Sequence, residues 1–328
     1  NTICQGRAVE ITRHHDTRPQ HGSRIGLALA SGVASYKSGR NDAAAEHSHP
    51  PLGDFITIDR TRVHYVIEGS GPPLVLIHGA GGNLRDFTFQ LSGKLAQTHT
   101  VISFDRPGHG YTDTIHSNGE SPAEQASLLK SATDALGFPN VIVGGYSFGG
   151  AVALAWALNH KDSANSLLLM NAVSNPWVVP PSKLYELAAG QFTGPVLSTA
   201  LSAFAPKSLV NDTLTSLFAP KPPPEGYLDY IGAGLTLRKS TLRANGRQVH
   251  ALLPHIETQS LRYPELTLPI EIIHGAEDTS IPPSVHAEVL AKQLPHANYT
   301  SVPGVGHSVH HYAHEQIQSA IERLTKRQ

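Results

Sequence analysis

The chain has 328 residues, with 25 Lys and Arg against 26 Asp and Glu, one cysteine and 40% hydrophobic residues. So even a balance provides no field to neutralise a run of phosphates, so nucleic acid is not an expected partner, and Cys4 alone excludes an intrachain disulfide framework or a cysteine-built metal site. No apolar run approaches the roughly 18 residues of a membrane span, and the composition is that of a globular, soluble chain of about two domain-sized units.

Residues 1–52 scatter Arg, His, Ser and Gly without period and close on His47-Ser48-His49-Pro50-Pro51, which reads as a poorly ordered N-terminal tail. Within it, residues 25–34 form a mildly apolar run after Arg18 and Arg24. That is the outline of a signal or anchor segment, but it starts late, and a short amphipathic helical turn is the plainer reading. The first residue is Asn1 rather than Met, which leaves room for processed upstream sequence.

From Asp54 the pattern alternates with period two, through Phe55, Ile56 and Ile58 and again through Val63, Tyr65 and Ile67, about Asp59-Arg60-Thr61; this predicts a β-hairpin. Leu74-Val75-Leu76-Ile77 is a continuous apolar run of a strand covered on both faces, and the texture recurs at 100–104, 141–143, 167–170 and 270–273. Helical spacing occupies 125–136 and 148–158, and 282–294 opens with Pro282 in its first turn. Strands alternating with helices predict an α/β fold with a mainly parallel sheet. The alternation breaks over 173–264, a proline-rich stretch with short apolar helical patterns, expected to be a helical cap inserted between two parts of one core, 53–172 and 265–328.

The sharpest chemical signal is Gly145-Tyr146-Ser147-Phe148-Gly149, between a strand and a helix. A serine at such a turn is held in a strained conformation, so the residues two before and two after must be small. The turn lifts the hydroxyl above the sheet and puts the Phe148 N–H at a helix N-terminus, facing a developing oxyanion. A serine needs a base, and the base an orienting acid. His307, in a loop after the strand predicted at 298–302, is the candidate base; Asp278, just past the strand at 270–273, is the candidate acid, with Glu277 pointing away. The alternative acid position after 167–170 holds neutral Asn171. His78-Gly79-Ala80-Gly81-Gly82 follows another strand and lets backbone approach the reacting carbonyl, with the Ala80 amide as second oxyanion donor, Gly81 as the fallback and His78 bracing the loop. His310, His311 and His314 are expected on a solvated face of the last helix, with no metal.

The elbow, the order Ser147, Asp278, His307, the His-Gly loop and Asp105-Arg106-Pro107-Gly108-His109-Gly110 together resemble the α/β-hydrolase fold family over residues 54–325. The resemblance implies an eight-stranded, mostly parallel sheet with helices on both faces and a helical cap after strand six, and a serine hydrolase with no cofactor. Ser147 sets the chain apart from the haloalkane dehalogenases and epoxide hydrolases of this fold, which use an aspartate. The resemblance is nearest to the capped esterases, carbon–carbon hydrolases and cofactor-free haloperoxidase-like proteins. The expected activity is hydrolysis of a carboxylic ester of a small, largely apolar substrate, with carbon–carbon bond hydrolysis or a slow-turnover ligand receptor as alternatives. Phe87, Phe89, Trp177, Phe192, Phe204 and Phe218 are candidate pocket aromatics, and Arg85, Arg106, Arg238 and Arg243 candidate carboxylate binders. Oligomeric state is open, as is compartment, with the cytoplasm slightly favoured over export or an N-terminal anchor.

Overall fold

The computed structural model describes residues 21–178 and 182–327, with side chains from residue 31 onward, Lys207 excepted. Its centre is an eight-stranded sheet of order β1-β2-β4-β3-β5-β6-β7-β8. The strands are β1 Asp54–Ile58, β2 Thr61–Glu68, β3 Pro73–Ile77, β4 Thr100–Phe104, β5 Val141–Tyr146, β6 Ala164–Met170, β7 Ile270–Gly275 and β8 Asn298–Val302. β1 and β2 form an antiparallel hairpin that joins β4 antiparallel, and every other pairing is parallel. The two-residue hairpin loop places Asp59 and Arg60 at positive φ, whose twist matches that of the flanking strands.

Helices cover both faces. The helix Phe148–Asn159 is buried along nearly its whole length and packs into one apolar cluster with β3, β5 and the helix Pro122–Ala135; His314–Thr325 buries Ile317, Ala320, Ile321 and Leu324 in a second cluster on the other face. Pro122–Ala135 starts where its sequence dictates: Ser121 Oγ accepts from the Glu124 N–H, the Glu124 carboxylate accepts from the Ser121 N–H, and Pro122 fills the first turn. Strand order reverses at β3, which has β4 on one side and β5 on the other. The crevice beyond the C-terminal ends of β3 and β5 is therefore the place where a fold of this kind binds ligand.

Between β6 and β7 the chain makes the helices Lys183–Ala189, Thr193–Phe204, Lys207–Ser216, Tyr227–Tyr230, Ala233–Thr236, Lys239–His250 and Leu252–Ser260. The last belongs with the core rather than the insertion: Leu252 and Ile256, with Tyr263 and Leu266 beyond the helix, sit in the larger apolar cluster. The structured insertion thus ends near residue 250, short of the expected boundary at 264.

The expected poorly ordered tail is corrected from residue 21 onward, where His21–Ser48 forms one long helix; residues 1–20 lie outside the described residues. The helix docks on the insertion through Ser38, Asn41 and Asp42, all bonded to Ser202, through buried Ala45, and through Glu46, which pairs with Arg238 at 2.8 Å. Its contact residues recur every three or four positions, one face of a helix, but they are small or polar and carry no apolar period. The apolar run 25–34 lies wholly inside this helix. No helix among the described residues is long and apolar enough to cross a membrane.

Candidate active site

β5 runs into the helix Phe148–Asn159 through Ser147, which takes φ 53° and ψ −118°. A non-glycine residue pays a conformational cost there, and backbone bonds hold it: the Ser147 N–H donates to the Met170 carbonyl, and the Ser147 carbonyl accepts from Gly150 and Val173, each at 3.0 Å. The two flanking glycines are steric necessities, since a Cβ on Gly145 would lie 2.2 Å from the Gly149 oxygen and one on Gly149 2.0 Å from the Ile77 oxygen.

Ser147 Oγ lies 3.1 Å from His307 Nε2, and His307 Nδ1 lies 2.8 Å from Asp278 Oδ2. The three side chains come from loops after β5, β8 and β7 and are all buried. Asp278 Oδ1 accepts the Ser280 and Ile281 N–H groups at 2.9 Å each. Burial alone would raise its pKa, but bonds from His274 and His307 and the His307 charge outweigh that and hold it well below the usual carboxylate range. An ionised Asp278 keeps the His307 ring proton on Nδ1 and turns the Nε2 lone pair toward the hydroxyl. Glu277 instead accepts the Val305 N–H at 3.0 Å, in the loop that carries His307.

Asn171 is the residue whose part sequence reasoning missed. At φ 43° and fully buried, it donates from Nδ2 to Asp278 Oδ2 at 2.5 Å and to the Gly306 carbonyl at 3.3 Å. It ties the acid to the loop before His307 and does not merely mark an empty acid position. Its place at the end of β6, level with the other strand ends, was the available signal.

The loop after β3 lies against the elbow, where a Cβ on Gly79 would meet Ser147 Cβ and the Tyr146 ring at 3.1 Å. His78 Nε2 accepts the Arg106 N–H at 3.0 Å, which leaves its proton on Nδ1, donated to the Gly79 carbonyl at 2.8 Å. Burial first, then the Arg106 charge, push the His78 pKa well below the usual histidine value and keep the ring neutral. The Ala80 N–H has no protein acceptor among the described residues, and the Phe148 N–H, at the first position of its helix, has none within the helix. The Gly81 N–H, by contrast, donates to Asn245 Oδ1 at 2.8 Å.

His310 and His311 are corrected: they are buried in a 3-10 turn, Val309–His311, ahead of the last helix, not on its solvated face. Their Nε2 atoms lie 3.1 and 3.0 Å from Asp86 Oδ1, which also accepts from the Tyr227 hydroxyl at 2.8 Å. Asp86, His310 and His311 group closely enough to hold a metal ion, a grouping invisible to a helical-face reading. His314 begins the last helix and accepts from Lys94 Nζ. The pocket aromatics do not converge: Phe192 and Phe204 are exposed, Phe87 lies in the core, and Phe89 and Phe218 pack with Tyr227 around His311. The four arginines are engaged within the protein: Arg85 with the Pro50 carbonyl, Arg106 with Gln125, Gln248 and Gly79, Arg238 with Glu46 and Gly110, and Arg243 with the Ala188 and Gly190 carbonyls.

A family model described as alpha/beta hydrolase fold matches residues 72–313. The chain is 29% identical over 258 residues to the dihydrolipoyllysine-residue acetyltransferase component of the acetoin cleaving system of Cupriavidus necator, across 78% of this chain and only 65% of that protein. It is 30% identical over 266 residues to a 2-hydroxymuconate semialdehyde hydrolase of Pseudomonas putida, across 80% of this chain and 90% of that protein. An esterase of known structure from Exiguobacterium antarcticum superposes with a TM-score of 0.68 over 84% of this chain and 100% of its own, at 21% identity.

Proposed function

This chain belongs to the alpha/beta hydrolase fold family and to the hydrolase class of enzymes, and from that premise we propose that it is a serine hydrolase cleaving a carboxylic ester of a small, largely apolar substrate. The observation that carries the reading is the continuous relay from Ser147 Oγ through the His307 ring to Asp278, at 3.1 and 2.8 Å. Ser147 attacks the carbonyl carbon while His307 Nε2 takes its proton, and Asp278 stabilises the imidazolium so formed. The Ala80 and Phe148 amides stabilise the oxyanion. His307 then gives its proton to the leaving alkoxide, and a water deprotonated by the same ring hydrolyses the acyl-enzyme. The reaction calls on no cofactor, and the helices from Lys183 to His250 act as a cap over the site.

A second reading, hydrolysis of a carbon–carbon bond beside a carbonyl, draws on the 2-hydroxymuconate semialdehyde hydrolase of Pseudomonas putida, whose match runs through most of both chains. Against it, the arginines best suited to a substrate carboxylate are engaged in internal bonds. The experiment is labelling with a fluorophosphonate, followed by steady-state turnover of a short-chain aryl ester and of a dienoate. Ser147→Ala should lose labelling and at least about 10⁴-fold in turnover with an unchanged circular dichroism spectrum. Retained turnover in Ser147→Ala would overturn the mechanism, and a burst followed by near silence in the wild type would mark a ligand receptor.

A further inference from the structure

We propose that Asn245, assisted by Thr236, is a positioning residue that makes the oxyanion donor depend on how the cap is seated. This rests on the Ser147 reading above. The Ala80 N–H belongs to the Gly79–Ala80 peptide, and the carbonyl of that peptide is held from the core by His78 Nδ1 at 2.8 Å and Arg106 Nη2 at 3.0 Å. The next two peptides are held from the cap: the Gly81 N–H, on the Ala80–Gly81 peptide, donates to Asn245 Oδ1 at 2.8 Å, and the Gly81 carbonyl, on the Gly81–Gly82 peptide, accepts from Thr236 Oγ1 at 2.6 Å. The torsions of Ala80 are therefore fixed at both ends by different parts of the molecule. Gly81 sits at φ +65° and has no side chain to restrict it, so the cap contacts supply the restraint.

One helix grips both ends. Three residues after Asn245, on the same face of Lys239–His250, Gln248 Oε1 accepts from Arg106 Nη1 at 2.9 Å, and Gln248 Nε2 donates to the Pro107 carbonyl and to Glu120. Arg106 is fully buried, stacks 4.3 Å over the Phe148 ring, and also meets Gln125 Oε1 at 2.9 Å and His109 Nε2 at 3.5 Å. A shift of this helix changes the hold on Gly81 and on Arg106 together, and so moves the plane of the peptide that carries the Ala80 N–H. The angle of a donor to a developing oxyanion matters in the transition state and much less in the ground state.

The test uses the full chain with a short-chain aryl ester and an alkyl trifluoromethyl ketone, whose adduct on Ser147 carries an oxygen at the oxyanion position. Asn245→Ala should lower kcat about ten- to a hundredfold with KM changed less than about threefold, and weaken the ketone by the same factor as kcat/KM. Asn245→Asp keeps an acceptor for the Gly81 N–H and should recover kcat to within about fivefold of wild type. Thr236→Val should lower kcat in the same direction, and it decides the matter if Asn245→Ala fails to fold. A lowered melting temperature with unchanged kcat and ketone affinity would overturn the proposal, leaving these bonds as cap cement. If Ser147→Ala kept its turnover, the underlying reading would fail instead, whatever the Asn245 variants do.

Discussion

Replacing Asn171 by aspartate turns a donor into a second carboxyl against Asp278. In the wild type Asn171 Nδ2 lies 2.5 Å from Asp278 Oδ2 and 3.3 Å from the Gly306 carbonyl, so the introduced group would face two acceptors and have no donor. Two unit charges at that separation repel by about 7 kcal/mol at an effective dielectric of about 20, equivalent to about 5 pKa units. Relaxation that halves this still lifts the upper ionisation of the pair from about 4 to about 6.5. The folded variant then holds a proton that the unfolded chain has already released, so its stability falls as pH rises between about 4 and 6.5, by about 1.4 kcal/mol per pH unit. The assay is urea unfolding of Asn171→Asp, Asn171→Ala and wild type from pH 4.5 to 9. The difference between Asn171→Asp and wild type should widen by about 3 kcal/mol across the window, whereas Asn171→Ala should show a pH-independent deficit of about 1–3 kcal/mol for the lost bond. An Asn171→Asp deficit that stays constant with pH would refute the reasoning.

The wild type should itself lose stability in acid. Burial lowers His109 to about 3, with the Arg106 charge adding to it, and lowers His286 and His311 to about 4, so between pH 6.5 and 4 the unfolded chain takes up protons that the folded one refuses. Stability should be full above about pH 6.5 and fall below it, by up to about 1.4 kcal/mol per pH unit for each group. His286 Nδ1 accepts the Ser174 and Asn175 N–H groups, so His286→Gln should lessen the slope in the same unfolding series. Removing the Arg323 guanidinium, which bonds both oxygens of fully buried Glu271 at 2.9 and 2.7 Å, should cost about 2–3 kcal/mol by urea unfolding, because a buried carboxylate then loses its cationic partner and keeps the Asn298 amide bond.

What could be read in the sequence was what local stereochemistry or strand-end position enforces. Gly145 and Gly149 cannot be exchanged without backbone collision, so the elbow is written in five consecutive residues. Asp278 and His307 follow β7 and β8 at loop positions that a parallel sheet brings to one edge. Asn171 was legible as a strand-end residue but not as a partner of Asp278, because their contact spans 107 positions. The helix His21–Ser48 escaped because its docking face is Ser38, Asn41, Asp42, Ala45 and Glu46, which no apolar count registers. His310 and His311 were misplaced because the spacing of the three histidines suits a helix that in fact begins only at His314.

The docking of the N-terminal helix has a consequence for the order in which the molecule assembles. Ser38 and Asn41 meet Ser202 across 164 and 161 positions of sequence, and Glu46 meets Arg238 across 192. This helix is synthesised before the sheet, and its receptor is made only after six of the eight strands have emerged. Contacts of such separation close late, since the loop between them must be ordered before they reward it. The helix is thus a late latch in a vectorially synthesised chain, and until it closes the cap is held from the core side, by residues such as Gln248 and Asn245.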